Sequence, residues 1–292
     1  MDHHANFIKP LIPPLIRKAA RNRIKTAKTW YAQRTGVLPD FIVVGSQKCG
    51  TTSVYHYLKN SPAFHFPPKE IGFFTHQIND DIFWFRGHFP SVVKKWQSRF
   101  ILKKNFIAGD VDPAYILDPH ALQRISDIIP KAKIILLMRN PVDRAYSHYH
   151  HCVRDGVENL SFEDALKAEP ERISDQWEKM ISGEKYDGVQ IYRYSYLATG
   201  TYVDQVKVLL SLFDRNRILF LEAENFFRNP NAGIQTILNF LNLPKWELAR
   251  PGVHNQGKYQ DMDIRLREKL IDHFRPFNQR LYDLVGKFDW DR

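Results

Sequence analysis

The chain has little cysteine: only Cys49 and Cys152 in 292 residues. Two thiols build neither a disulfide framework nor a zinc ligand set, so a reducing compartment is expected. No apolar run approaches the roughly 18–20 residues that span a bilayer. The start, Met1-Asp2-His3-His4, lacks the charged-then-apolar layout of a secretory signal. The expectation is a soluble, cytoplasmic chain. After residue 40 there is no internal repeat and no low-complexity linker. What is present suffices for a sizeable core, since 43% of residues are apolar. The charged fraction, 25%, is not that of a disordered chain.

Positive charge is in excess, and it is unevenly spread. Residues 1–40 carry eight Lys and Arg against Asp2 and Asp40, so six of the ten net charges lie there. This segment is read as a basic N-terminal extension, and residues 41–292 as the domain proper. It joins an apolar, proline-broken stretch, Phe7 to Ile16, to a basic stretch with helical character. Two readings stand: a solvated arm packed on the domain, or a peripheral anchor for an anionic membrane or polymer. The smaller excess in the body suits a cleft for an anionic ligand. No nucleic-acid motif accompanies the charge, and no nucleic-acid partner is expected.

From residue 41 onward strands and helices alternate. Phe41-Ile42-Val43-Val44 is a short apolar strand entering a glycine loop, and a helix follows over 51–60. Phe106 to Ala108, Ile134 to Met138 and Ile218 to Leu221 are further strands, the second being the most apolar. Helices are expected over 118–129, from Pro141, and around Val203–Phe213 and Ile234–Leu241. The helix from Pro141 is expected to bury Val142, Tyr146, Tyr149 and Val153, with Arg144 on the surface. A C-terminal stripe, Leu270, Phe274, Phe277, Leu281 and Leu284, contains Pro276, which is expected to kink or break it. The pattern predicts an α/β fold: a central parallel β-sheet flanked by helices. Ligands in such folds bind beyond the carboxyl ends of the strands, which directs attention to the residues after Val44, Ala108 and Met138.

The first of these segments is Gly45-Ser46-Gln47-Lys48-Cys49-Gly50-Thr51-Thr52-Ser53. Glycines let backbone N–H groups converge on a phosphate, and a helix N-terminus adds partial positive charge. The order differs from the nucleotide-triphosphatase loop, because the lysine precedes the second glycine by two residues. That displacement points to one phosphate in the cradle and no metal requirement. The second segment, Met138-Arg139-Asn140-Pro141, places Arg139 at the end of the best strand, with Ser147 about two helical turns later. Arginine offers a bidentate grip on phosphate. The third, Gly109-Asp110-Val111-Asp112-Pro113-Ala114-Tyr115, is acidic.

Gly-x-Gln-Lys-x-Gly-Thr-Thr after a strand resembles the 5′-phosphosulfate loop of the sulfotransferase superfamily, whose fold is P-loop-like. The resemblance covers residues 41–292. It implies 3′-phosphoadenosine 5′-phosphosulfate as donor, with Lys48 at the oxygen bridging phosphate and sulfate. Gln47, Lys48, Cys49, Gly50, Thr51, Thr52 and Ser53 would form the 5′ site, and Arg139 with Ser147 the 3′-phosphate site. Pro67-Pro68-Lys69-Glu70-Ile71-Gly72-Phe73-Phe74 is similar to a segment of the heparan and related glycan sulfotransferases, which implies Glu70 as general base and a glycan or glycolipid acceptor. His65 and His76 are rivals for that role. Gly257 and Lys258, in His254-Asn255-Gln256-Gly257-Lys258-Tyr259, resemble in part a loop that closes over the nucleotide. In place of a family Glu-Lys-Ser-Pro-x-Tyr stretch, this sequence sets Asp110 and Asp112 around Val111, an expectation of negative charge on the acceptor side. Tyr192, Tyr194 and Tyr196, with Trp177, are either sugar-stacking surface or core. The competing readings are a P-loop kinase of a small molecule and a non-catalytic polyanion binder.

Overall fold

The computed structural model describes residues 28–75, 81–101, 106–249 and 259–290. Residues 1–27 of the basic extension lie outside these, as do His76, Gly257 and Lys258.

Five parallel strands form one sheet in the order β2-β3-β1-β4-β5. In chain order the elements are β1 (Phe41–Gly45), α1 (Thr51–Lys59), β2 (Phe64–His65), α2 (Ile82–Arg86) and α3 (Val92–Phe100). Next come β3 (Ile107–Val111), α4 (Pro119–Ile128), β4 (Lys133–Met138), α5 (Pro141–Arg154), α6 (Phe162–Ser182) and α7 (Gly188–Tyr194). The last are α8 (Tyr202–Leu212), β5 (Ile218–Glu222), α9 (Ala223–Arg228), α10 (Pro230–Phe240) and α11 (Ile264–Val285). β1 is buried at every position because it is central, paired with β3 on one side and β4 on the other. That is why its sequence is continuously apolar rather than alternating. After β1 the chain builds one flank of the sheet, then crosses to the other through β4. The crevice between β1 and β4 is therefore a topological switch point, where open α/β sheets bind ligands.

Helix starts follow capping chemistry. The Asp118 carboxylate accepts from the His120 and Ala121 amides at 2.8 and 3.1 Å, with Pro119 in the first turn. Asn140 does the same for α5, accepting from the Val142 amide at 3.0 Å ahead of Pro141.

Two expectations fail here, and of the two alternatives at Pro276 the break does not occur, since the C-terminal helix runs unbroken through it. Leu270, Phe274 and Leu281 are buried on both sides of the proline, and that packing outweighs one lost N–H donor. The inner face of α5 is also different. Val142, Arg144, Ala145, His148 and Cys152 are buried, whereas Val153 is exposed. Arg144, expected on the surface, is fully buried and donates to the Ser195 and Tyr196 carbonyls, tying α5 to the segment after α7. The buried Glu169 carboxylate accepts from the next amides, Leu197 and Ala198, at 2.7 and 2.8 Å. Arg144 is the nearby cation whose charge partly offsets that burial.

Candidate functional site

The glycine loop leaves β1 at the switch point. Its Ser46 amide donates to the Leu137 carbonyl of β4 at 2.8 Å, so the loop starts fixed to the neighbouring strand. Lys48 and Gly50 then take left-handed backbone angles, φ 65° and 97°, which curl the chain into α1. Gly50 is the N-cap residue of α1, and no side chain caps that terminus. The first turn of α1 carries no acidic residue. Its free amides and partial positive charge are thus open to an anion. Two buried polar atoms beside them, Ser46 Oγ and Gln47 Oε1, have no partner within the protein. Buried polar atoms are normally satisfied, so both fit a polar ligand in the loop. A Cβ on Gly50 would lie 2.4 Å from Phe227 Cζ, so another residue there is strained by the angle and needs the Phe227 ring to shift.

Cations converge on this loop. Burial first, then the Arg154 and Arg139 charges, push the Lys48 ammonium down to about 8. Arg139 lies at the carboxyl end of β4. Its amide and carbonyl both bond the buried Tyr202 hydroxyl, at 3.4 and 3.0 Å, and its guanidinium stands 4.0 Å from Glu224. Arg139 does not pair with the nearby Asp143, which bonds Arg267 at 2.6 Å. Ser147 is partly exposed on the following helix. Cys49 is fully buried against Tyr202, 3.5 Å from its hydroxyl, so its side chain braces the loop from behind. Thr51 and Ser53 are buried, and Thr52 is partly exposed.

Glu70 sits on a loop pinned to the end of β3. Its amide donates to the Val111 carbonyl at 3.0 Å, and the Gly72 amide donates to the Asp112 carboxylate at 3.0 Å. Glu70 itself has φ 62°, a conformation that costs a non-glycine residue about 1–2 kcal/mol. Its carboxylate is 46% exposed and pairs with Lys69.

Two residues join the two halves of the site: His151, which the sequence did not single out, and Tyr192, which it offered as sugar-stacking surface or core. His151 of α5 has both Lys48 and Glu70 as charged neighbours, and burial foremost lowers its imidazole. Tyr192 has Asp112 and Glu70 as neighbours, and its carbonyl accepts from Gln47 Nε2 at 3.4 Å. Lys48 and Glu70 therefore flank one region. The i, i+3 relation of His151 to His148, which is fully buried on α5, was the available signal for His151.

The acidic segment is not acceptor-side surface. Asp110 is fully buried and accepts from Tyr115 Oη at 3.1 Å and its neighbour's amide at 2.9 Å. Burial, then the Asp112 charge, raises it to about 7. Asp112, raised to about 6 by burial, is spent on the Gly72 and Ala114 amides. Both are scaffold. Of the tyrosines, Tyr196 is core, bonding Glu158 at 2.8 Å, and Tyr194 lies under the Arg172 guanidinium. His65 packs edge-on against Phe106 and has Lys94 as its charged neighbour.

A cationic loop at a switch point, with the carboxylate of a pinned loop beside the same histidine, marks the β1–β4 crevice as the candidate site. The family model described as the sulfotransferase domain matches residues 38–256, and the chain belongs to that family of enzymes. The crystal structure of a sulfotransferase from Alicyclobacillus acidocaldarius is 31% identical, with a TM-score of 0.67, covering 88% of this chain and all of that one. "Membrane-associated sulfotransferase kil1" of Dictyostelium discoideum is 23% identical over 87% of this chain and 66% of its own length. "Bifunctional heparan sulfate N-deacetylase/N-sulfotransferase 1" of Mus musculus is 28% identical over 88% of this chain. This chain spans just under two thirds of the first of these relatives and 31% of the second.

Proposed function

We propose that the enzyme transfers a sulfuryl group from 3′-phosphoadenosine 5′-phosphosulfate to a hydroxyl or amine of a carbohydrate. The observation that carries this reading is the convergence of Lys48, the uncapped α1 terminus and Arg139 on the β1–β4 crevice. Residues 47–53 hold the 5′-phosphosulfate end, and Arg139 with Ser147 the 3′-phosphate. The acceptor atom attacks sulfur, and the bond from sulfur to the bridging phosphate oxygen breaks. The products are the sulfated acceptor and adenosine 3′,5′-bisphosphate. The acceptor proton passes to Glu70, and Lys48 stabilises the negative charge that develops on the leaving oxygen. Little covalent work falls to the protein, so positioning and charge dominate the rate.

Heparan sulfate in a relative's name supports a glycan acceptor, and "membrane-associated" in another's supports peripheral membrane contact through the basic residues 1–40. Two buried free cysteines are compatible with a reducing, cytoplasmic setting. Among the described residues no helix is long and apolar enough to cross a membrane. The test is an acceptor screen with radiolabelled sulfate donor over oligosaccharides, lipids and phenols. Label is expected on an oligosaccharide; label confined to phenols would overturn the glycan reading.

Gly50→Ala gives an independent check of the cradle. The left-handed angle strains the loop, and the Phe227 ring or the loop must shift to make room. Bisphosphate affinity should drop by about tenfold or more, at a strain of about 1–2 kcal/mol, while circular dichroism stays unchanged. Calorimetric affinity equal to the parent's would remove the loop from the donor site.

A further inference from the structure

The helix α3 faces the wrong way for a packed helix. None of its nine residues is buried. Val92, Val93, Trp96 and Phe100 share one side, and that side points to solvent, with Trp96 54% and Phe100 59% exposed. Lys95 points inward, 2.6 Å from the Asp40 carboxylate beside β1. A water-facing helix ordinarily does the reverse, burying its apolar stripe. The Trp96 and Phe100 rings lie 5.6 Å apart, so the outward face is a contiguous aromatic surface.

A second exposed aromatic pair borders it. Trp30, 58% exposed, and Tyr31 lie on the helical segment 28–35. That segment is fastened to the start of α3: Gly36 pairs with Ser91, and the Val37 amide donates to the Pro90 carbonyl at 2.9 Å. Arg34 lies 5.1 Å from the Trp30 ring. Basic residues frame both pieces. Residues 92–101 carry Lys94 and Arg99, both exposed, besides the paired Lys95, and no acid. The basic residues 1–27 join the described chain at Lys28, within one turn of Trp30.

We infer that this face docks on an anionic lipid bilayer, with Trp96, Phe100 and Trp30 entering the interfacial region and the lysines and arginines meeting the headgroups. Exposed tryptophan beside aliphatic residues and framed by cations is the composition of an interfacial helix. A second copy of the chain is disfavoured by charge, because like faces would bring basic residues together. Nucleic acid would not require Val92, Val93 and Ile101 to be exposed. The inference deepens, and in part rests on, the proposed membrane contact of residues 1–40, but it assigns the apolar contact to the folded domain. The Lys95–Asp40 pair sets α3 at the amino ends of the strands, whereas the donor loop is at their carboxyl ends. Docking here leaves the catalytic crevice clear of lipid.

The experiment is co-sedimentation of the full chain with phosphatidylcholine vesicles, with and without phosphatidylserine. Binding is expected only with phosphatidylserine. Trp96→Ser/Phe100→Ser should weaken it by about tenfold or more, through lost apolar burial. Lys94→Glu/Arg99→Glu should weaken it at least about twentyfive-fold, at about fivefold per charge. Turnover on a soluble acceptor and thermal stability should be unchanged in both, since these side chains are exposed and outside the site. A chain lacking residues 1–27 should bind more weakly yet remain sensitive to Trp96→Ser/Phe100→Ser. Vesicle binding indifferent to both double variants, in the full chain and the shortened one, overturns the inference and leaves the arm as the contact. Conversion of a dimer to a monomer by Trp96→Ser/Phe100→Ser in gel filtration overturns it too, in favour of a copy interface. Neither result bears on sulfuryl transfer, which the acceptor screen tests separately.

Discussion

Glu70→Gln should lower turnover by roughly 100- to 10,000-fold, the range for removal of a general base, while bisphosphate affinity stays at the parent's value. The two readouts separate because Glu70 is on the loop pinned to β3, not on the cradle after β1. The carboxamide keeps the shape of the side chain and the left-handed backbone, so folding is preserved. It cannot take the acceptor's proton. The ion pair with Lys69 also matters, since it helps to position the Glu70 side chain. The structural alternative is His151, whose imidazole has both Lys48 and Glu70 as charged neighbours. His151→Gln should retain most turnover. Steady-state rates at saturating donor decide the matter: a Glu70→Gln enzyme with most of its activity, paired with an inactive His151→Gln enzyme, transfers the base to α5.

The parts of this site that sequence made legible are those where local chemistry is strong. β1 and β4 are buried on both faces, so their apolar runs are unbroken. Gly50 after β1 is dictated by its left-handed backbone angle and by the close Phe227 ring. Arg139 was found because strand ends in such sheets face the ligand crevice. The rest depended on packing between distant segments. Arg144 reads as a surface residue, yet the carbonyls of Ser195 and Tyr196 give its charge a buried place. Asp110 and Asp112 read as acceptor-side charge, but Tyr115 and the Gly72 amide, which take them inward, become their partners only once β3 is in the sheet. Helix α6 lacked a clear signal because Pro170 lies inside it. Trp290, near the end of the chain, gave no sign that its indole N–H would reach Glu224 at 3.4 Å, beside Arg139.

Adenosine 3′,5′-bisphosphate should bind at least tenfold, and up to several hundredfold, more tightly than adenosine 5′-monophosphate. The difference is the second phosphate. Each charge-assisted contact is worth about 1.5–3 kcal/mol, and Arg139 and Ser147 supply the contacts that the monophosphate forgoes. Arg139→Ala should therefore erase most of the gap between the nucleotides and leave monophosphate affinity nearly unchanged. The truncation removes the partner that Glu224 faces at 4.0 Å, and the Asn140 amide, at 2.9 Å, still satisfies that carboxylate. Lys48→Ala should damage turnover more than bisphosphate binding, because its charge is needed most as the leaving oxygen becomes anionic. Lys48 also gives the affinity a pH dependence with a definite sign. In the free protein its ammonium is lowered to about 8, and a bound phosphate favours the charged form. Below pH 8 the lysine is already charged and affinity is flat in pH on its account. Above pH 8 a proton must be taken up on binding, so affinity falls as pH rises, and Lys48→Ala should abolish that fall. Calorimetry of both nucleotides with the parent and the two variants, at neutral and alkaline pH, measures all of these quantities. Thermal stabilisation by the bisphosphate should follow the same ranking by ligand linkage. Equal affinity for the two nucleotides, or tight magnesium-dependent binding of ATP instead, would contradict a two-phosphate donor site and return the crevice to a kinase-like reading.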